Sequence, residues 1–153
     1  MASEEIIEQL GLLKLAADTQ CSTLNMAAVS LYLDSYDIES HIELIRQVYR
    51  HKKDLMLDTI RASFPDEIAF TDPHGGLFTW LTFPEAFDTE VFMREHALPE
   101  AKVAYVPGAT FFPLRAAPNY ARISYSTQTD ERIVAGISRL GAALKSAMVA
   151  SPA

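Results

Sequence analysis

Apolar positions in the first third of the chain recur with helical spacing. Ile6, Leu10, Leu13 and Ala17 form one stripe, widened by Ile7 and Leu15, which predicts an amphipathic helix over residues 3–18. Ser3 can N-cap it, and Glu4 and Glu5 suit the positive end of its dipole. A second helix, capped by Ser22 or Thr23 and running to Leu33, is apolar nearly all round: Leu24, Met26, Ala27, Ala28, Val29, Leu31 and Leu33. Such a helix wants cover on several sides. Residues 40–63 read as a long third helix with Ile42, Ile45, Val48, Tyr49, Leu55, Met56 and Leu57 on its apolar side. Arg46, Arg50, Lys52, Lys53 and Arg61 make its other side basic, and Pro65 ends it.

Beyond Pro65 the pattern shifts toward strand alternation. Strands are predicted at 68–70, 77–83, 103–106 and 120–125, with helices at 89–96, capped by Asp88, and at 129–148. The order predicts an α+β fold: a small mixed or antiparallel sheet covered by helices on one face, preceded by a two-helix N-terminal arm. The division expected is an arm over residues 1–35 and a compact domain over 36–153.

Composition narrows the function classes. The chain has 153 residues, 49% of them apolar, enough for a real core. Thirteen Lys and Arg stand against 20 Asp and Glu, a net charge of −7. That balance argues against a nucleic-acid or anionic-lipid surface, both of which need net basic patches. Cys21 is the single cysteine and cannot close an intrachain disulfide, so a reducing cytoplasm is the default compartment. No signal peptide and no membrane span are expected. The small-residue tail, 146–153, is expected to fray. The four histidines, His41, His51, His74 and His96, lie at no ligand spacing, so no metal site is expected.

Arg122 is the foremost candidate for chemistry. Alternation puts Tyr120, Arg122 and Ser124 on one face of the last strand, and Ala121, Ile123 and Tyr125 on the other. A guanidinium in an otherwise uncharged strand can receive a carboxylate through two parallel bonds. It can equally reach for solvent from an edge or pair with an internal acid. Gly75 and Gly76 permit positive φ and close backbone approach ahead of a strand. Pro107 and Gly108 terminate another strand, and Phe111 follows; this run can line a cleft or simply end a strand beside core aromatics.

Three segments in order carry a resemblance: Pro73-His74-Gly75-Gly76-Leu77-Phe78-Thr79-Trp80, the Val103–Phe112 run with Val106-Pro107-Gly108 and Phe111, and Asn119–Ser126 with Arg122. They resemble the C-terminal small domain of class I/II (fold-type-I) aminotransferases, which use pyridoxal phosphate (PLP). The aminoadipate/aromatic-like group, which includes the enzyme-like domains of some bacterial regulators, is the subgroup it looks like. Ser3–Lys14 is similar to the family's stretch after the cofactor lysine, Ser40–Leu57 to its long connecting helix, and Glu131–Leu144 to its last helix.

The resemblance implies a parent enzyme that moves an amino group between an α-amino acid and a 2-oxo acid, as a homodimer. It makes Arg122 the receptor of the substrate α-carboxylate and Gly75, Gly76, Pro107, Gly108 and Phe111 possible cleft-lining residues. The cofactor lysine and phosphate-binding residues belong to a large domain absent from this sequence. PLP would thus be held mainly there, and this chain by itself is expected to be inactive, with no catalytic or cofactor-binding residue of its own. Two alternatives stand: an effector-sensing domain of a transcription regulator, and a stand-alone α+β ligand-binding or interaction module.

Overall fold

A computed structural model of the chain describes residues 2–18 and 20–150. It divides into two compact units, Met1–Leu44 and Ile45–Ala153. The first carries helices α1 (Glu4–Asp18) and α2 (Thr23–Ser35), in neither of which a residue is buried. Ser22 caps α2, its Oγ accepting from the Asn25 amide at 3.5 Å. Helix α3 (Ile38–Ser63) starts two residues before the spacing predicts because Asp37 is its cap. The Asp37 carboxylate accepts from the Ser40 amide (3.1 Å) and hydroxyl (2.6 Å), and these bonds hold its pKa below the usual value.

The second unit holds the sheet: β1 (Ala69–Phe70), β2 (Phe78–Thr82), β3 (Val106–Pro107) and β4 (Tyr120–Ser124), in the order β1-β2-β4-β3. Every pairing is antiparallel, so the sheet is antiparallel rather than mixed. Leu81 on β2 and Ala121 and Ile123 on β4, followed by Tyr125, point to the core. There they join Met56, Leu57 and Ile60 of α3 and Ile133, Ile137, Leu140 and Leu144 of α5 (Asp130–Ala150). Period two on the strands and the i, i+3, i+4 pattern on the helices thus meet in one core.

Between β2 and β3 the chain departs from expectation. Asp88 caps α4 (Thr89–Phe92), accepting from the amides of Glu90 (2.9 Å) and Val91 (3.0 Å). A π-helical segment, Met93–Ala101, then carries the helix well past the predicted end at His96. Pro99 lies inside it and supplies no amide donor. Lys102 ends it with φ of 57°. The strand expected at 103–106 pairs just from Val106. Tyr105 leaves the sheet line for the core, where its hydroxyl donates to the Thr89 carbonyl at 2.6 Å and burial raises its pKa. No helix among the described residues is long and apolar enough to cross a membrane.

Two glycines of α5 show how closely the helices approach. A Cβ on Gly141 would stand 2.5 Å from the Ser63 carbonyl oxygen and 2.8 Å from its carbon, both backbone atoms of α3. A Cβ on Gly136 would meet Val103 Cγ2 at an ordinary 3.6 Å. Helix propensity favours alanine over glycine by about 1 kcal/mol at either position. At Gly136 that gain should stand, and Gly136→Ala is expected to raise the melting temperature. At Gly141 overpacking of about 1–3 kcal/mol should exceed it, so Gly141→Ala is expected to lower the melting temperature. Thermal melts of the two variants check both signs.

Candidate functional site

Strand β4 is buried at Ala121 and Ile123 and open at Tyr120, Arg122 and Ser124, the alternation its sequence carries. On the open face Arg122 stands across from Trp80 of β2 and Val106 of β3. Its guanidinium carbon lies 4.0 Å from the ring centre of Phe78 and 4.9 Å from that of Phe111. Trp80 meets Phe111 edge-on at 5.3 Å and stacks on Tyr120 at 5.8 Å. Phe112 closes on Tyr120 at 5.4 Å. The result is a patch of five aromatic rings with two guanidinium groups, Arg122 over Phe78 and Phe111 and Arg115 over Phe112 at 4.6 Å.

Arg122 has no ion pair with any carboxylate among the described residues. Its Nε is enclosed and without a hydrogen-bond partner. Of the readings open to a strand arginine, pairing with an internal acid therefore finds no support in the geometry. An unpaired guanidinium facing rings is equipped to take up an anion with its remaining donors.

The neighbouring turn is built to hold Phe111 in place. Pro107 pairs with Ala121. Gly108 begins a 3₁₀ turn, Gly108–Phe111, and lies so close to Tyr120 that a Cβ there would stand 2.7 Å from the Tyr120 carbonyl oxygen. The buried Thr89 hydroxyl lies within donating distance of two carbonyls, Pro118 (2.8 Å) and Tyr120 (2.7 Å), shares its one proton between them, and so ties the start of β4 to α4. Phe111 thus stands beside Arg122, with Pro107 and Gly108 as its support.

Gly75 and Gly76 lie elsewhere. With Arg50, Lys53, His74 and Tyr125 they line a cavity of about 620 Å³. Gly76 does take a positive φ, 91°, and its carbonyl accepts from the Tyr125 hydroxyl at 2.9 Å. Lys53 anchors this loop through Asp72 at 2.8 Å. A larger cavity, about 760 Å³, opens beside α5 between Lys102, Ser124, Arg132 and Gly136 and does not include Arg122. Among the described residues no group of His, Cys, Asp or Glu could hold a metal ion.

Sequence reasoning missed Phe78 and Trp80 as members of the site. Alternation along 77–83 does put both on one face, but the strand-to-strand register that brings them to Arg122 is not in the alternation. The same geometry bears on PLP. No lysine belongs to the Arg122 cluster: Lys52 is bonded to the carbonyls of Ser126 (3.1 Å) and Gln128 (2.7 Å), and Lys53 to Asp72. Lys14 pairs with Asp18 at 2.9 Å, and Lys102 lines the cavity beside α5. The residues gathered around Arg122 therefore do not fit a covalent cofactor site.

No protein-family model matches the chain. Among curated proteins it is 33% identical over 147 residues to aromatic-amino-acid aminotransferase 1 of Thermococcus litoralis, covering 96% of this chain and 35% of that protein. It is 37% identical over 145 residues to the 2-aminoadipate transaminase of Thermus thermophilus, covering 95% of this chain and 36% of that one. The chain thus spans about a third of the length of the curated relatives it matches. Among solved structures, the α-aminoadipate aminotransferase LysN of Thermus thermophilus, complexed with N-(5'-phosphopyridoxyl)-L-leucine, superposes with a TM-score of 0.84 at 34% identity, over 99% of this chain and 38% of that one. The HTH-type transcriptional regulator NorG of Staphylococcus aureus also matches, 29% identical over 133 residues, covering 87% of this chain and 29% of the regulator.

Proposed function

We propose that this chain, a relative of the class I/II, fold-type-I, PLP-dependent aminotransferases, is the C-terminal small-domain part of such an enzyme. In this reading it presents Arg122 to the α-carboxylate of an amino acid or 2-oxo acid. The observation that carries it is the unpaired guanidinium on the open sheet face, walled by Phe78 and Phe111. PLP would supply the amino-transfer chemistry, held mainly by residues outside this chain, which has no lysine at the site. The enzyme would work as a homodimer in the cytoplasm. Helices α1 and α2, which expose Ile6, Leu10, Leu24, Met26 and Leu31, would be covered by the rest of the enzyme.

The match to NorG supports a second reading, in which the same fold senses an amino-acid effector without turning it over. One chimera separates the two. The large-domain part of the Thermus thermophilus 2-aminoadipate transaminase is joined to this chain in place of its own C-terminal third. Transfer of an amino group from an amino acid to a 2-oxo acid is expected, measured as the new amino acid formed. A folded, cofactor-loaded chimera that binds amino acid yet transfers nothing contradicts the enzymatic reading and favours the sensing one.

A further inference from the structure

We infer that Phe78 and Phe111 are positioning and specificity residues: they hold the Arg122 guanidinium in one plane, so that just its Nη1/Nη2 edge receives a carboxylate. The inference rests on the carboxylate reading above and adds what makes that arginine a rigid receptor. Three observations carry it. The guanidinium carbon lies within stacking distance of both rings, at 4.0 and 4.9 Å. Both rings are left partly exposed, Phe78 at 41% and Phe111 at 39%, although each is large and apolar. The Nε atom is enclosed with no partner, which closes the side edge of the fork to any ligand.

A long arginine side chain loses rotamer freedom when it grips a ligand, and that loss weakens binding. Stacking on aromatic faces removes the freedom beforehand and leaves the cation poorly hydrated. Phe111 is itself set by Trp80 edge-on and by the turn that Gly108 starts. The remaining edge matches a flat carboxylate with two parallel bonds. Because a carboxylate bound this way shares the guanidinium plane, the rings favour planar anions over tetrahedral ones such as phosphonates.

Trp80 is the single tryptophan of the chain and contacts Phe111, so its emission reports on this patch. This chain is titrated with 3-phenylpropionate, its amide and the matching phosphonate. The expected result is a Trp80 response to the carboxylate, a weaker one to the phosphonate and none to the amide. Phe78→Leu and Phe111→Leu should weaken carboxylate binding roughly 3- to 30-fold, the range that cation–π contacts span, while Phe111→Tyr keeps it. In an Arg122→Ala background neither leucine substitution should change what binding remains. In the chimera the same leucine variants should raise KM with little change in kcat. Both rings are partly exposed, so unchanged melting curves are expected to show that folding is intact. Loss of response in Arg122→Ala with full affinity in both leucine variants overturns the positioning role and leaves the carboxylate reading standing. Undiminished binding by Arg122→Ala, or no wild-type response to the carboxylate, overturns both.

Discussion

Arg122→Ala in the chimera is expected to lower kcat/KM by about 30- to several-thousand-fold. Removing one partner of a desolvated, hydrogen-bonded charge pair costs roughly 2–5 kcal/mol, because the other charge is left unpaired, and each 1.36 kcal/mol is about tenfold in rate. In this reading Phe78 and Phe111, over which the guanidinium lies, would reduce its hydration and strengthen the pair it makes. Arg122→Lys should restore part of the loss, since an ammonium carries the charge but not the fork. A thermal melt separates this from a structural role. Arg122 makes no ion pair or side-chain hydrogen bond among the described residues, so its truncation should cost stability just through its contacts with Phe78 and Phe111, about 0.5–2 kcal/mol, while activity falls much further. A large drop in both would mean that the arginine holds the sheet together.

Leu81→Ala should be the most destabilising truncation at the centre of the sheet. Leu81 has no exposed surface, and its backbone pairs with Phe70 on one side and Ala121 on the other. Neighbours held by two ladders collapse poorly into a vacancy, which puts the cost in the range of about 2–5 kcal/mol. Urea unfolding measures it: the midpoint should fall with the slope unchanged. Trp80 and Arg122 both flank this position, one on Leu81's own strand and one on its partner, so carboxylate binding should weaken as well. A loss under 1 kcal/mol would mean that this core can repack.

Much of this architecture is written in local pattern. The alternation from Tyr120 to Tyr125 gave the buried and open faces of β4 correctly, and helical spacing located α1, α2, α3 and α5 to within two residues at their starts. The α+β class follows from the same two periods. The misses have physical causes. Asp37 was overlooked as a cap because it precedes an apolar residue rather than the predicted helix start. The π-helical stretch through Pro99 depends on the core drawing Ala97 and Ala101 inward, which a proline in the sequence argues against. β3 begins late because Tyr105 is needed inside.

The candidate site was legible in part. Arg122 and Phe111 could be singled out from residue type and resemblance, and the structure brings them within 4.9 Å. That Arg122 has no ion pair with a carboxylate among the described residues is a three-dimensional fact, as is the pairing of Trp80 with Arg122. Gly75 and Gly76 looked like part of the same cleft from their place ahead of β2. In the structure they line a cavity with Arg50, Lys53, His74 and Tyr125, where the Lys53–Asp72 pair and the Tyr125 hydroxyl hold the loop.

The central claim concerns one charge and one ligand group, and one ratio tests it. In the chimera, kcat/KM is measured for an α-amino acid and for its α-amide, first with Arg122 in place and then with Arg122→Ala. The account predicts a strong preference for the free acid that falls toward parity when the guanidinium is removed. A preference that Arg122→Ala leaves undiminished would contradict it and assign the α-carboxylate to another residue.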